Sequence, residues 1–173
     1  KRAITLKPNF AEAHSNLGVT LKELGKLEEA EASFSKAITL KPTYVEGHYN
    51  LATTLQELGR LNEAEVSFNC TIELQPLFAE AYNNLGVTLN ELRRFDEAED
   101  RFKQAIALRT NFAEAYYNLG ITLKELGRLG EAEVNHKRAI ALKPDYAEAY
   151  SNLGVTLKEL GKLKEAEASF NKA

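Results

Sequence analysis

Apolar and small side chains recur at three- and four-residue intervals along this chain, in stripes that break at fixed places. In residues 11–44, Ala11, His14, Leu17, Gly18, Leu21 and Leu24 form one stripe. Leu27, Ala30, Phe34, Ala37, Ile38 and Leu40 form a second. Gly25 divides them, because glycine takes the left-handed conformation at a helix C-terminus without a Cβ penalty. Pro42 closes the second stripe, since proline removes a backbone donor and disfavours helix in the residue before it. The pattern predicts a helix A, a short turn, a helix B and a short connection.

Pro8, Pro42, Pro76 and Pro144 stand on a ruler of 34 residues, with Thr110 at the missing mark. The unit therefore recurs as 11–44, 45–78, 79–112 and 113–146. A partial copy follows at 147–173, and 1–10 reads as the end of a preceding copy. One helix pair cannot cover its own apolar face, so a period of this length predicts copies that stack. Gly18, Gly86, Gly120 and Gly154, with Ala52, recur inside helix A, where glycine costs about 1 kcal/mol against alanine. That repeated cost predicts a close approach of helix B, with Ala30, Ala64, Ala98, Ala132 and Ala166 as the facing small surface. Residues 11–37 and 147–173 differ only at His14/Tyr150, Glu28/Lys164 and Ser35/Asn171. Such likeness indicates duplication within a long array, and the chain reads as a piece of a longer protein.

Leu and Gly in helix A, followed by Ala, Phe, Ala and Pro through helix B, resemble the tetratricopeptide repeat across essentially the whole chain. The resemblance implies an all-α fold, a right-handed α-solenoid superhelix of stacked antiparallel helix pairs, forming a single array over 1–173. It also implies that helix A lines a concave groove. The departures are local. His14, His48, Tyr82, Tyr116 and Tyr150 hold the family's tryptophan place, Arg93 replaces the turn glycine, and Thr110 replaces a proline. Thr71 replaces an alanine and His136 the helix B phenylalanine. The third and fourth units are expected to be locally less stable.

The strongest candidate for function is an asparagine at one place in every helix A: Asn16, Asn50, Asn84, Asn118 and Asn152. An amide offers both donor and acceptor, matching one peptide unit, so a column of amides can hold an extended chain by its backbone. The segments SNLG and NNLG resemble the repeats of O-GlcNAc transferase. That resemblance implies an asparagine ladder with each of the five residues a rung. The alternative stands beside it: asparagine here serves the structure, bonding across neighbouring helices. The same face carries Val19, Thr53, Val87, Ile121 and Val155, then Glu23, Glu57, Glu91, Glu125 and Glu159. Glu12, Glu46, Glu80, Glu114 and Glu148 lie in the first turn of helix A, where a carboxylate complements the helix dipole. Lys22, Lys124 and Lys158 offset part of this charge, leaving a face suited to a neutral or basic segment. The Lys and Arg clamp by which related domains hold acidic chaperone tails has no counterpart at Glu12, Ser15, Asn16 and Val19, which argues against that role.

Composition narrows the rest. The net charge is −3 and no Lys/Arg run occurs, against the basic face that nucleic-acid binding needs. No apolar run approaches the roughly 18 residues of a membrane span. Cys70 is the only cysteine, pointing to a reducing, cytoplasmic setting. Asn69-Cys70-Thr71 matches a glycosylation pattern but falls inside a predicted helix. His14 and His48 lack a third ligand at metal spacing, and no nucleophile–base pair or phosphate loop is present, so no metal, cofactor or enzymatic activity is expected. The expected partner is a protein or peptide in extended conformation. Two further readings remain open: a substrate-recruiting arm of a glycosyltransferase-type enzyme, and a homo-oligomer formed through apolar surface on the terminal helices.

Overall fold

The computed structural model describes residues 10–173, and the expected end of a preceding copy lies, but for Phe10, outside the described residues. Among the described residues the chain is ten helices and no strand, arranged in pairs: α1 (Ala11–Glu23) with α2 (Leu27–Leu40), α3 (Val45–Glu57) with α4 (Leu61–Leu74), α5 (Ala79–Glu91) followed by α6 (Phe95–Leu108), α7 (Ala113–Glu125) with α8 (Leu129–Leu142), and α9 (Ala147–Glu159) with α10 (Leu163–Phe170). The chain packs as two compact units, one ending at Thr88 and the other beginning at Leu89, with the boundary inside α5.

Every A helix ends in the same way. In the first, Gly25 N–H donates to the Lys22 carbonyl and Lys26 N–H to the Leu21 carbonyl, both at 2.9 Å. This is the paired bonding of a Schellman turn, and it requires a left-handed residue. Gly25, Gly59, Gly127 and Gly161 supply it with φ of 72–75°, while the third turn forces Arg93 to φ 60°. Leu24 is the C-cap of α1 and is largely exposed, so the apolar stripe ends before it.

In the first unit Phe34 and Phe68 are fully buried, as are Ala30, Ala37, Ala52 and Ala64. In the second, Phe102, His136, Leu123 and Leu157 occupy the corresponding interior. The recurring glycine of helix A has a different neighbour from the one expected. A Cβ at Gly18 would lie 2.6 Å from the Phe34 ring, and one at Gly154 2.6 Å from Phe170. A flat ring on helix B, not the small alanine, fills the space that the missing Cβ leaves. Thr71 is fully buried and donates its Oγ1 to the Ser67 carbonyl at 2.9 Å, so the threonine of the Asn69-Cys70-Thr71 pattern belongs to the core while Asn69 and Cys70 are half-buried.

Along one edge of the B helices a cation in the turn joins two carboxylates. Arg60 contacts Glu31 of the preceding pair and bonds Glu63 of its own through Nε at 2.7 Å. Arg128 does the same with Glu99 and Glu131, and Lys162 reaches Glu133 at 2.7 Å. These charges are exposed at one partner and count for little singly; each links one helix pair to the next within its own unit.

Candidate functional site

Each A helix buries one stripe and leaves another accessible. Leu51 and Leu55, Leu119 and Leu123, and Leu153 and Leu157 turn inward. Asn16 is exposed and Asn50, Asn84, Asn118 and Asn152 are half-buried, so the amide column stays within reach of solvent. Val19 is exposed, with Thr53, Val87, Ile121 and Val155 half-buried, and Glu23, Glu57, Glu91, Glu125 and Glu159 are all exposed. Asparagine, aliphatic and glutamate positions follow at three- and four-residue steps, which keeps them on one side of the helix.

The asparagine backbone is fixed from beneath. The hydroxyls of Thr20, Thr54, Thr88, Thr122 and Thr156 donate to the carbonyls of Asn16, Asn50, Asn84, Asn118 and Asn152 at 2.7–3.0 Å. Thr54, Thr88, Thr122 and Thr156 are fully buried, where a hydroxyl must find an acceptor, and the carbonyl one turn back provides it.

The side-chain amides differ from rung to rung. Asn84 donates Nδ2 to the Tyr49 hydroxyl at 3.0 Å and accepts from Asn83 Nδ2 at 3.1 Å. Asn152 donates Nδ2 to the Tyr117 hydroxyl at 2.9 Å and to the Glu148 carbonyl at 3.1 Å. Burial first, and then the carboxylates of Glu80 and Glu148, push the phenols of Tyr49 and Tyr117 up, so both remain neutral. Sequence reading had no place for these tyrosines. The signal was present as a tyrosine 35 residues before an asparagine, one step off the repeat period.

Charge along the accessible stripe is partly tied up within the chain. Lys22 donates to the Thr53 hydroxyl at 2.9 Å and pairs with Glu57 at 3.1 Å. Lys41 pairs with Glu12 at 3.2 Å, and that carboxyl is held below its usual range first by a backbone N–H and then by Lys41. His48 is engaged with the Pro42 carbonyl at 2.8 Å. Among the described residues no group of three metal-ligating side chains forms, and no helix is long and apolar enough to cross a membrane.

This helix-pair unit matches models of the tetratricopeptide repeat at residues 11–44, 44–111, 77–145 and 111–173. The chain belongs to the tetratricopeptide repeat family. No curated protein matches its sequence at a significant level. Among solved structures it is similar to MamA, with a TM-score of 0.83 and 30% identity over 90% of this chain and 91% of that one. A Thermus thermophilus repeat protein, TTC0263, aligns with a TM-score of 0.76 and 28% identity over 94% of this chain and 89% of that one. YrrB, described as having an unusual peptide-binding site, shares the fold with a TM-score of 0.80 and 24% identity over 99% of this chain and 88% of that one. An all-helical chain of tetratricopeptide repeats, with neighbours of this kind, is a protein-interaction scaffold.

Proposed function

We propose that the accessible stripe of the A helices holds an extended peptide segment, with the asparagine column gripping its backbone. The rungs are Asn16, Asn50 and Asn84 in the first unit and Asn118 and Asn152 in the second. One observation carries this reading: every A helix presents an amide at the same accessible position, with its backbone carbonyl already satisfied by the threonine below. The threonine bond steadies the backbone from which each amide projects. The likeness of SNLG and NNLG to the ladder repeats of O-GlcNAc transferase supports the same use.

Val19, Val87, Ile121 and Val155 supply apolar contact beside the rungs, which suits many ligand side chains, while Thr53 at the equivalent place has its hydroxyl engaged by Lys22 and the Asn50 carbonyl. Glu23, Glu57, Glu91, Glu125 and Glu159 favour a neutral or basic segment over an acidic one. The test is binding of a random-sequence 12-residue peptide pool to the native chain and to a variant carrying Asn50→Ala, Asn84→Ala and Asn118→Ala. Weaker retention by the variant, with its helical circular dichroism intact, is the expected outcome. Equal retention removes the ladder.

A further inference from the structure

We infer that Tyr49 and Tyr117 are positioning residues for the asparagine column, and that Asn84 and Asn152, each held by one of these phenols, take different hydrogen-bonding roles toward a bound peptide because their second partners differ. This rests on the ladder reading above and adds to it which rungs are held and what each offers.

Tyrosine stands at 49 and 117, while the three other equivalent positions hold Ser15, Asn83 and Ser151. Both tyrosines are clamped by rings. Tyr49 lies 4.9 Å from the Phe78 ring centroid and 6.1 Å from that of Phe68. Tyr117 lies 4.9 Å from Tyr146 and 6.0 Å from His136. A phenol fixed in this manner presents its oxygen at a defined point, and each oxygen receives one amide N–H from the following repeat. The amide then loses rotamer freedom before any ligand arrives, which lowers the cost of binding.

Counting donors and acceptors separates the two rungs. The Glu148 carbonyl only accepts, so it fixes the Asn152 amide with nitrogen toward the helix. Both Asn152 N–H groups are spent, on Tyr117 and Glu148, and its Oδ1 accepts no hydrogen bond from the described residues. Asn152 therefore offers an acceptor and pairs with a peptide N–H. Asn84 spends one N–H on Tyr49 and one lone pair on Asn83. It retains one donor and one lone pair, and pairs with both groups of a peptide unit.

The experiment measures affinity for the same random 12-residue peptide pool with Tyr49→Phe plus Tyr117→Phe, and separately with Asn84→Ala plus Asn152→Ala. Phenylalanine keeps the ring packing and removes only the hydroxyl. The expected result is about fivefold to tenfold weaker binding by the tyrosine variant, with a melting temperature within about 3 °C of native. If the asparagine variant binds weakly and the tyrosine variant binds like native, the positioning role is wrong and the ladder stands. If neither variant weakens binding, the ladder falls and this inference with it. A lowered melting temperature with unchanged binding makes the tyrosines braces of the fold and overturns the inference. Should the double variant not fold, Tyr49→Phe alone is judged by the same criteria.

Discussion

The ring of His136 occupies the space left by the missing Cβ of Gly120, where a Cβ would lie 2.6 Å from the ring's Cε1. Among the described residues neither ring nitrogen has a hydrogen-bond partner, and the side chain is fully buried. Phe34, Phe68 and Phe102 fill the equivalent places, so imidazole here stands in for a hydrocarbon ring. Burial, and to a smaller degree Lys124, lower its pKa from the ordinary 6.5 to about 4.

The unfolded chain takes up this proton near pH 6.5, whereas the folded chain resists it until about pH 4. The stability tied to neutral His136 is therefore complete above about pH 6.5 and drains away as pH falls toward 4, by roughly 3 kcal/mol in all. His136→Phe should be more stable than native, and the difference should grow across that window. Urea melts of both proteins at pH 7.5, 6, 5 and 4.5 check this. A constant difference contradicts the assignment.

Arg93 should gain from becoming glycine. It alone among the five turns carries a side chain at positive φ, where an L-residue costs about 1–2 kcal/mol. Its guanidinium sits 5.2 Å from the Phe95 ring centroid, and glycine brings its own entropy cost, so both offset part of the gain. Arg93→Gly is expected to stabilise the chain by about 1 kcal/mol in denaturant melts; a loss of stability refutes the strain argument.

Thr110 should accept proline. The preceding residue, Arg109, has φ −138° and ψ 94°, beside −141° and 86° for Lys41, which precedes Pro42. Its backbone already has the extended form that a following proline imposes. Thr110→Pro should then stabilise by about 0.5 kcal/mol through the unfolded chain, with no change in circular dichroism. Destabilisation would show that the threonine has a use of its own.

Glu99 tests the seam of charges. Burial pushes its carboxyl up, but Lys103 and Arg128 outweigh it and hold the carboxyl below the usual range. A carboxyl lowered in the fold adds stability above its unfolded pKa and gives it up as pH falls through the folded value. Arg128→Gln should raise the Glu99 pKa, followed by the carboxyl 13C shift against pH, and should weaken the fold at neutral pH. An unmoved titration would assign the whole effect to Lys103.

The helix pairs were legible because their signals repeat in place. Glycine at 25, 59, 127 and 161 announces a left-handed turn, and the same turn closes at Arg93 because the flanking helices impose it. The accessible stripe was legible too, since Asn16, Val19 and Glu23 share one helix side. What the sequence hid lies between neighbouring repeats of one unit. Tyr49 to Asn84 and Arg60 to Glu31 join different positions of successive repeats, so comparing like with like passes over them. The phenylalanine beneath Gly18 was hidden for a related reason: which side chain fills a gap depends on how two helices cross, and periodicity does not encode that.

The claim that the column grips peptide backbone is tested most directly by altering the ligand. A 12-residue peptide recovered from the random pool is compared with a scrambled version and with one N-methylated at alternate residues. A backbone ladder predicts that scrambling leaves affinity nearly unchanged, while removing the N–H groups costs at least about tenfold. Loss on scrambling, with N-methylation tolerated, would show a face that reads side chains and would contradict the ladder.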